Sequence, residues 1–209
     1  MQRHMILRHL EWMDSMVGRY KSPDKHPFFP DDVPEPILSH LLYPQQSELL
    51  KSADLININD TIWDVYFRDL LPRLVNVMYV IKKGDDGNYG SAAIYDTICC
   101  LLNDRIHHGK FVAKAKFRSS PDVYETAISA KDRSKLMDLL TSPTVEEAIK
   151  KRVEMKTQTL GQEVTVNVGE DDVVQVYKIA PSVVADLYGD WIMPLMKEVQ
   201  VGYLLTRLD

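Results

Sequence analysis

The chain has 209 residues, 45% hydrophobic and 26% charged, with a formal net charge of −5. That is the mixture of a globular unit long enough for one sizeable core, and its acidic balance excludes non-specific binding to nucleic acid. No apolar run approaches the ~18 residues that cross a bilayer, so no membrane partner is expected either.

In chain order, Met1 to Val17 reads as an amphipathic helix. Arg3, His4, Arg8 and His9 interrupt its apolar stretch, which sets it apart from a signal peptide. Residues 22–56 read as an irregular connection, because six of the eleven prolines fall between Ser22 and Pro44. Asp60 has the character of an N-cap for a helix through Ile62, Val65, Leu70 and Leu71. Gly84 to Gly90 is a turn-rich loop, after which one long helix runs from Ser91 to Phe117. Shorter helices are predicted at Pro121 to Ser129 and Asp132 to Leu140, and another begins at Ser142-Pro143 and continues to Leu160. Val164 to Val176 suits either a short hairpin or an exposed acidic loop. The last helix spans Pro181 to Leu208, with a bend at Pro194. These elements define a single all-α domain over residues 1–209, a helical bundle with no sizeable sheet.

The long helix after Ser91 carries the most telling pattern. With about 100° per residue, Lys116 falls nearly in line with Arg105, among Ile98, Leu101, Leu102, Gly109, Val112 and Ala113. Lys110, Lys114 and Arg118 fall on the opposite, polar face with Asn103 and His107. Two cations inside an apolar stripe are costly unless something anionic meets them. Internal salt bridges, snorkelling stems and a recessed anion pocket all satisfy that demand. Gln200 sits similarly among Ile192, Met193, Met196, Val199, Tyr203 and Leu204, as a core hydrogen-bonding residue or a substrate contact. Glu146 and Glu147 lie where carboxylates favour a helix N-terminus.

Other chemistry is thin. Cys99 and Cys100 are adjacent, as are His107 and His108, and a single helix cannot turn neighbours onto one ion, so no metal site is expected. Adjacent cysteines also exclude a disulfide framework and fit a reducing compartment. No nucleophile elbow, phosphate-binding loop or dinucleotide fingerprint occurs, so neither a covalent nucleophile nor a bound cofactor is expected.

The segment Arg105-Ile-His-His-Gly-Lys-Phe-Val-Ala-Lys-Ala-Lys116-Phe117 resembles a motif of the plant-type eukaryotic chorismate mutases, the all-helical class. Gly84-Asp-Asp-Gly-Asn-Tyr-Gly-Ser91, Val145-Glu146-Glu147, Pro194-Leu-Met-Lys-Glu-Val-Gln200 and Gly18-Arg19-Tyr20-Lys-Ser-Pro-Asp24 follow in the same family order. The resemblance covers nearly the whole chain. It implies rearrangement of chorismate to prephenate, on the route to phenylalanine and tyrosine. By motif position, Arg105 would grip a substrate carboxylate, Lys116 and Gln200 would donate to the ether oxygen, and Glu146 would accept from the ring hydroxyl. Ser142 and Met196 occupy further pocket positions.

The resemblance also implies a homodimer, with aromatic amino acid effectors held by Arg19, Asn88, Gly90 and Ser91. Gly18 stands where some members have a second arginine. The family pattern starts with a further helix bearing another substrate-binding arginine, so an N-terminal truncation is expected, with mutase activity impaired by it. Met196 replaces a pocket threonine, Asn76 to Lys83 reads as an insertion, and Lys114, Gly202 and Thr206 depart from the pattern, Lys114 on the solvent face. A non-catalytic helical homologue that keeps the dimer and effector surfaces is the alternative reading. The cytoplasm is the expected location, or the plastid if a transit peptide precedes this sequence.

Overall fold

Three prolines set helix starts along this chain, since a proline's missing N–H is harmless in a first turn. The structure is a computed structural model that describes residues 4–38, 49–75, 92–160 and 180–208. Its helices are α1 (Met5–Met16), α2 (Asn59–Val65), α3 (Ala92–His107), α4 (Gly109–Ser119), α5 (Pro121–Ser129), α6 (Arg133–Leu140), α7 (Pro143–Leu160), α8 (Pro181–Leu187) and α9 (Met193–Leu205). Pro121, Pro143 and Pro181 open α5, α7 and α8. The Asp132 carboxylate caps α6 by accepting from the Lys135 N–H at 2.9 Å. No strand occurs among the described residues, and the fold is all-α.

Several boundaries differ from the sequence reading. The first helix starts at Met5, after His4 in a left-handed conformation (φ 59°). Asp60 lies inside the first turn of α2 rather than capping it; the Asn57 side chain instead accepts from the Asn59 N–H at 2.8 Å. The single helix expected from Ser91 to Phe117 is two, parted at His108. There the Phe111 N–H reaches the His108 carbonyl at 3.0 Å, a tighter turn than the α-helix makes. Just before Pro194, where the sequence suggested a bend, a π-helical turn, Tyr188–Ile192, lies between α8 and α9. Proline cannot donate to the carbonyl four residues back and its ring collides with it, so widening the preceding turn relieves both problems. A second π turn, Tyr66–Leu70, extends α2. The loop at 84–90, the expected insertion at 76–83 and the hairpin or loop at 164–176 lie outside the described residues.

α9 is the axis of the core. Leu195 and Val199 pack with Ile62, Tyr66, Cys99 and Ile106, while Val201, Tyr203 and Leu204 pack with Ala113, Tyr124, Ile128, Leu136 and Leu140. A helix buried on nearly every side needs apolar residues all round, as its sequence supplies.

The polar face expected to meet solvent is largely covered. Lys110 and His107 are fully buried, and Asn103 and Lys114 nearly so; only Arg118 is exposed as expected. For Asn103, His107 and Lys110 the cause is the connection between Ser22 and Phe28, which crosses this face with backbone carbonyls that have no helical partners. Lys110 Nζ donates to the Pro23 carbonyl at 2.8 Å and lies 2.6 Å from His26 Nε2. Asn103 Nδ2 donates to the His26 carbonyl at 2.7 Å, and Asn59 Nδ2 to that of Pro27 at 2.8 Å. His107 Nε2 accepts the Ile58 N–H at 3.3 Å, so its Nδ1 is the donor to the Asn103 carbonyl at 3.1 Å. Between Ser22 and Phe28 the connection is thus fastened by side chains rather than by secondary structure.

Burial, and then the neighbouring His26 and Lys110, push the His107 imidazole down to about 3. Burial also lowers His26 to about 4 and Lys110 to about 8. A histidine whose folded value lies below its unfolded one contributes fully above about pH 6.5, and loses that contribution as pH falls from there. Glu11, raised to about 7 chiefly by burial, works the other way, since its ionisation opposes folding as pH rises. Comparing wild type with His107→Gln cancels the Glu11 effect. We expect the unfolding free energy of wild type relative to His107→Gln to drop by roughly 2–3 kcal/mol between pH 7 and pH 4.5. Parallel pH curves in urea denaturation would count against a buried neutral His107.

Candidate active site

Where α3 ends and α4 begins, α9 runs close beside the chain, and Gly109 permits the approach. A Cβ placed on Gly109 would lie 2.8 Å from the Met196 carbonyl oxygen and 3.1 Å from its Cγ. This contact brings the Met196 and Gln200 side of α9 against the helices that carry Arg105 and Lys116. The end of α6 and the start of α7 close the other side. Together they enclose a cavity of about 340 Å³, within the range of small-molecule sites.

Arg105, Lys116, Glu146 and Gln200 all line this cavity, as do Ser142 and Met196. Their settings differ. Arg105 is exposed and its Nε donates to the Tyr188 hydroxyl at 3.0 Å. Lys116 is half-buried, with Nζ donating to the Leu140 carbonyl at 2.9 Å. Neither is buried as the apolar stripe suggested, because that stripe opens into the cavity instead of closing on a core. Desolvation lowers the Lys116 ammonium below its ordinary value; Glu146 opposes the shift and Lys197 adds to it.

Two residues of the site were not singled out from the sequence. Lys197 Nζ donates to Glu146 Oε1 at 3.0 Å and to Thr141 Oγ1 at 3.2 Å. It lies four residues after Met193 and three before Gln200, so the helical period that placed Gln200 also reaches Lys197. Tyr188 lies in the π turn, where a fixed period of 3.6 loses phase and no sequence signal marks its direction. Gln200 is 3% exposed and its Oε1 finds no partner among the described residues, an arrangement that costs about 1–3 kcal/mol in a protein interior.

The expected effector positions lie elsewhere. Arg19 pairs with Asp104 at 2.5 Å and Asp14 at 3.3 Å, beside a second cavity of about 200 Å³. Asn88, Gly90 and Ser91 fall outside the described residues.

No family model matches the chain. It is similar to chorismate mutase 1, chloroplastic, of Arabidopsis thaliana: 59% identical over 212 residues, covering 98% of this chain and 60% of that protein. It is 41% identical over 205 residues to chorismate mutase 2, cytosolic, of Zea mays, covering 98% and 78%. Among solved structures, that of AtCM1 with phenylalanine bound in its allosteric site superimposes with a TM-score of 0.80 at 61% identity. The match covers 98% of this chain and 76% of that one. The chain belongs to the chorismate mutase family. It spans about three fifths of the length of the chloroplastic Arabidopsis relative.

Within this chorismate mutase fold, the Gly109 contact carries a measurable consequence. A side chain at that position meets backbone, which cannot swing aside. Gly109→Val is expected to lower the unfolding free energy by roughly 1–3 kcal/mol through overpacking. Denaturant titration checks this, and a variant as stable as wild type would show that α4 and α9 are not in such close contact.

Proposed function

We propose that the chain catalyses the intramolecular rearrangement of chorismate to prephenate. The observation that carries this reading is convergence: Arg105, Lys116, Glu146 and Gln200, far apart in sequence, line one cavity. The reaction is pericyclic. It needs no nucleophile, only a substrate held folded and charge stabilised as the ether bond breaks. Arg105 pairs with a substrate carboxylate at the cavity mouth, where the Tyr188 hydroxyl steadies the guanidinium. Lys116 donates to the ether oxygen, and its lowered affinity for a proton makes it a readier hydrogen-bond donor. Gln200 contributes its amide to the same oxygen. Glu146 accepts from the ring hydroxyl at the start of α7. Met196 offers apolar contact, and Ser142 a hydroxyl at the rim.

The reading extends to the molecule's surroundings. Met5, Trp12 and Met13 on α1 and Leu101 on α3 are exposed apolar residues suited to cover by a second copy, which supports a homodimer. The relatives' names include both chloroplastic and cytosolic forms; free, adjacent thiols suit either reducing compartment, and the cytosol is our placement, with the plastid as alternative. An aromatic amino acid effector would engage Arg19, displacing its pairing with Asp14 and Asp104.

Two experiments test these assignments. Arg105→Ala is expected to lower the rate of chorismate disappearance by about 10²–10³ through loss of transition-state stabilisation. Its thermal unfolding should barely move, since the side chain is exposed. A wild-type chain that binds effectors without turning over chorismate would favour the non-catalytic homologue instead. For the effector site, calorimetry should find phenylalanine bound at least about tenfold more weakly by Arg19→Ala, the loss of one charge-assisted hydrogen bond. Equal affinity would remove Arg19 from that role.

A further inference from the structure

Glu146 poses an electrostatic problem. A lone carboxylate facing a dianionic substrate repels it, and the desolvated cavity strengthens that repulsion. The answer lies on the neighbouring helix. Lys197, on α9, is largely buried, with 16% of its side chain exposed against 28% for Glu146. Its Nζ is held between Glu146 Oε1 and Thr141 Oγ1, at 3.0 and 3.2 Å.

Resting on the reading above, we infer that Lys197 is a positioning residue for the rearrangement. It fixes the Glu146 carboxylate toward the substrate hydroxyl and supplies the positive charge that balances the site against a dianion. Three features carry this. First, among the described residues the charge lining the cavity comes from Arg105, Lys116 and Lys197 against Glu146, which leaves two positive charges for two carboxylates. Without Lys197 the lining would hold one. Second, Lys197 engages one carboxylate oxygen, so the other is the acceptor we assign to the ring hydroxyl. Third, both lysines grip the same short turn from different helices: Lys116 through the Leu140 carbonyl and Lys197 through Thr141. The ammonium groups are therefore spaced by a shared support, and Lys197 helps to depress the proton affinity of Lys116.

A purely structural staple between α9 and α7 makes different predictions. Lys197→Met should lower kcat/KM for chorismate at least about tenfold, by removing preorganised charge. Lys197→Arg should recover most of that loss, because the charge and a donor remain. In a Glu146→Gln background, Lys197→Met should cost markedly less than in wild type, since its partner is already gone. Loss of thermal stability in Lys197→Met with kcat/KM per folded molecule within twofold of wild type would overturn the inference and leave the staple. So would failure of Lys197→Arg to recover activity, or equal costs in the two backgrounds. Turnover by the wild-type chain is the control. Its absence would overturn the proposed reaction and the role of Lys197 with it, whereas normal turnover in Lys197→Met would overturn the role of Lys197 alone.

Discussion

The near-contact of two backbones, at Gly109 and Met196, holds the rest of the arrangement in register. Helices normally stand 8–10 Å apart, with side chains filling the space between them. Here the missing Cβ of Gly109 lets α4 settle against the carbonyl of Met196, with Gln200 beside it. The same glycine starts α4 immediately after the break at His108. One residue therefore stands where the long helical stretch divides and sets how its second half meets α9. Arg105 lies before the break and Lys116 after it, so their relative direction depends on this junction.

The chain buries cationic groups in two distinct ways. Lys110 is surrounded by protein acceptors, the Pro23 carbonyl and His26, and its ammonium fastens an irregular segment. Among the described residues, Lys116 has one carbonyl partner and remains beside open space, and Arg105 has a hydroxyl on its Nε. The first arrangement is enclosed and structural. The second leaves hydrogen-bonding capacity directed at a cavity, which is what recognition of an anion requires. The two lysines lie six residues apart on one helix, and only the company they keep separates them.

Much of the fold was legible because its punctuation is local. Pro121, Asp132, Pro143 and Pro181 mark helix starts by chemistry confined to one turn, and the helices begin at or beside them. The division at His108 and the π turn at Tyr188 were not legible, because the first answers to packing against α9 and the second to a proline several residues downstream. The polar face of α3 and α4 misled for a similar reason. A helical wheel assigns Lys110 and His107 to solvent, but it cannot foresee that the proline-rich connection will cross them with carbonyls in need of donors. At the cavity, the stripe containing Arg105 and Lys116 signalled an anomaly by itself. Glu146 and Gln200 acquired meaning only through resemblance, since a carboxylate in a first turn and an amide in an apolar face each have ordinary structural explanations. Lys197 carried the right spacing but looked like any surface lysine until Glu146 was placed beside it.

The π turn at Tyr188–Ile192 also constrains how this chain can change in length. It holds one residue more than an α-helical turn, so excising a single residue there would restore an ordinary helix. Everything before it would then rotate by about 100° relative to α9. Tyr188 would leave Arg105, and Gly189, whose bare backbone lies against the Lys150 side chain on α7, would face elsewhere. Loops usually absorb insertions and deletions at little cost, yet here a change of one residue inside a helix would disconnect the cavity from its wall. Among descendants of this sequence, the interval from Pro181 to Pro194 should therefore keep its length even where its residues drift.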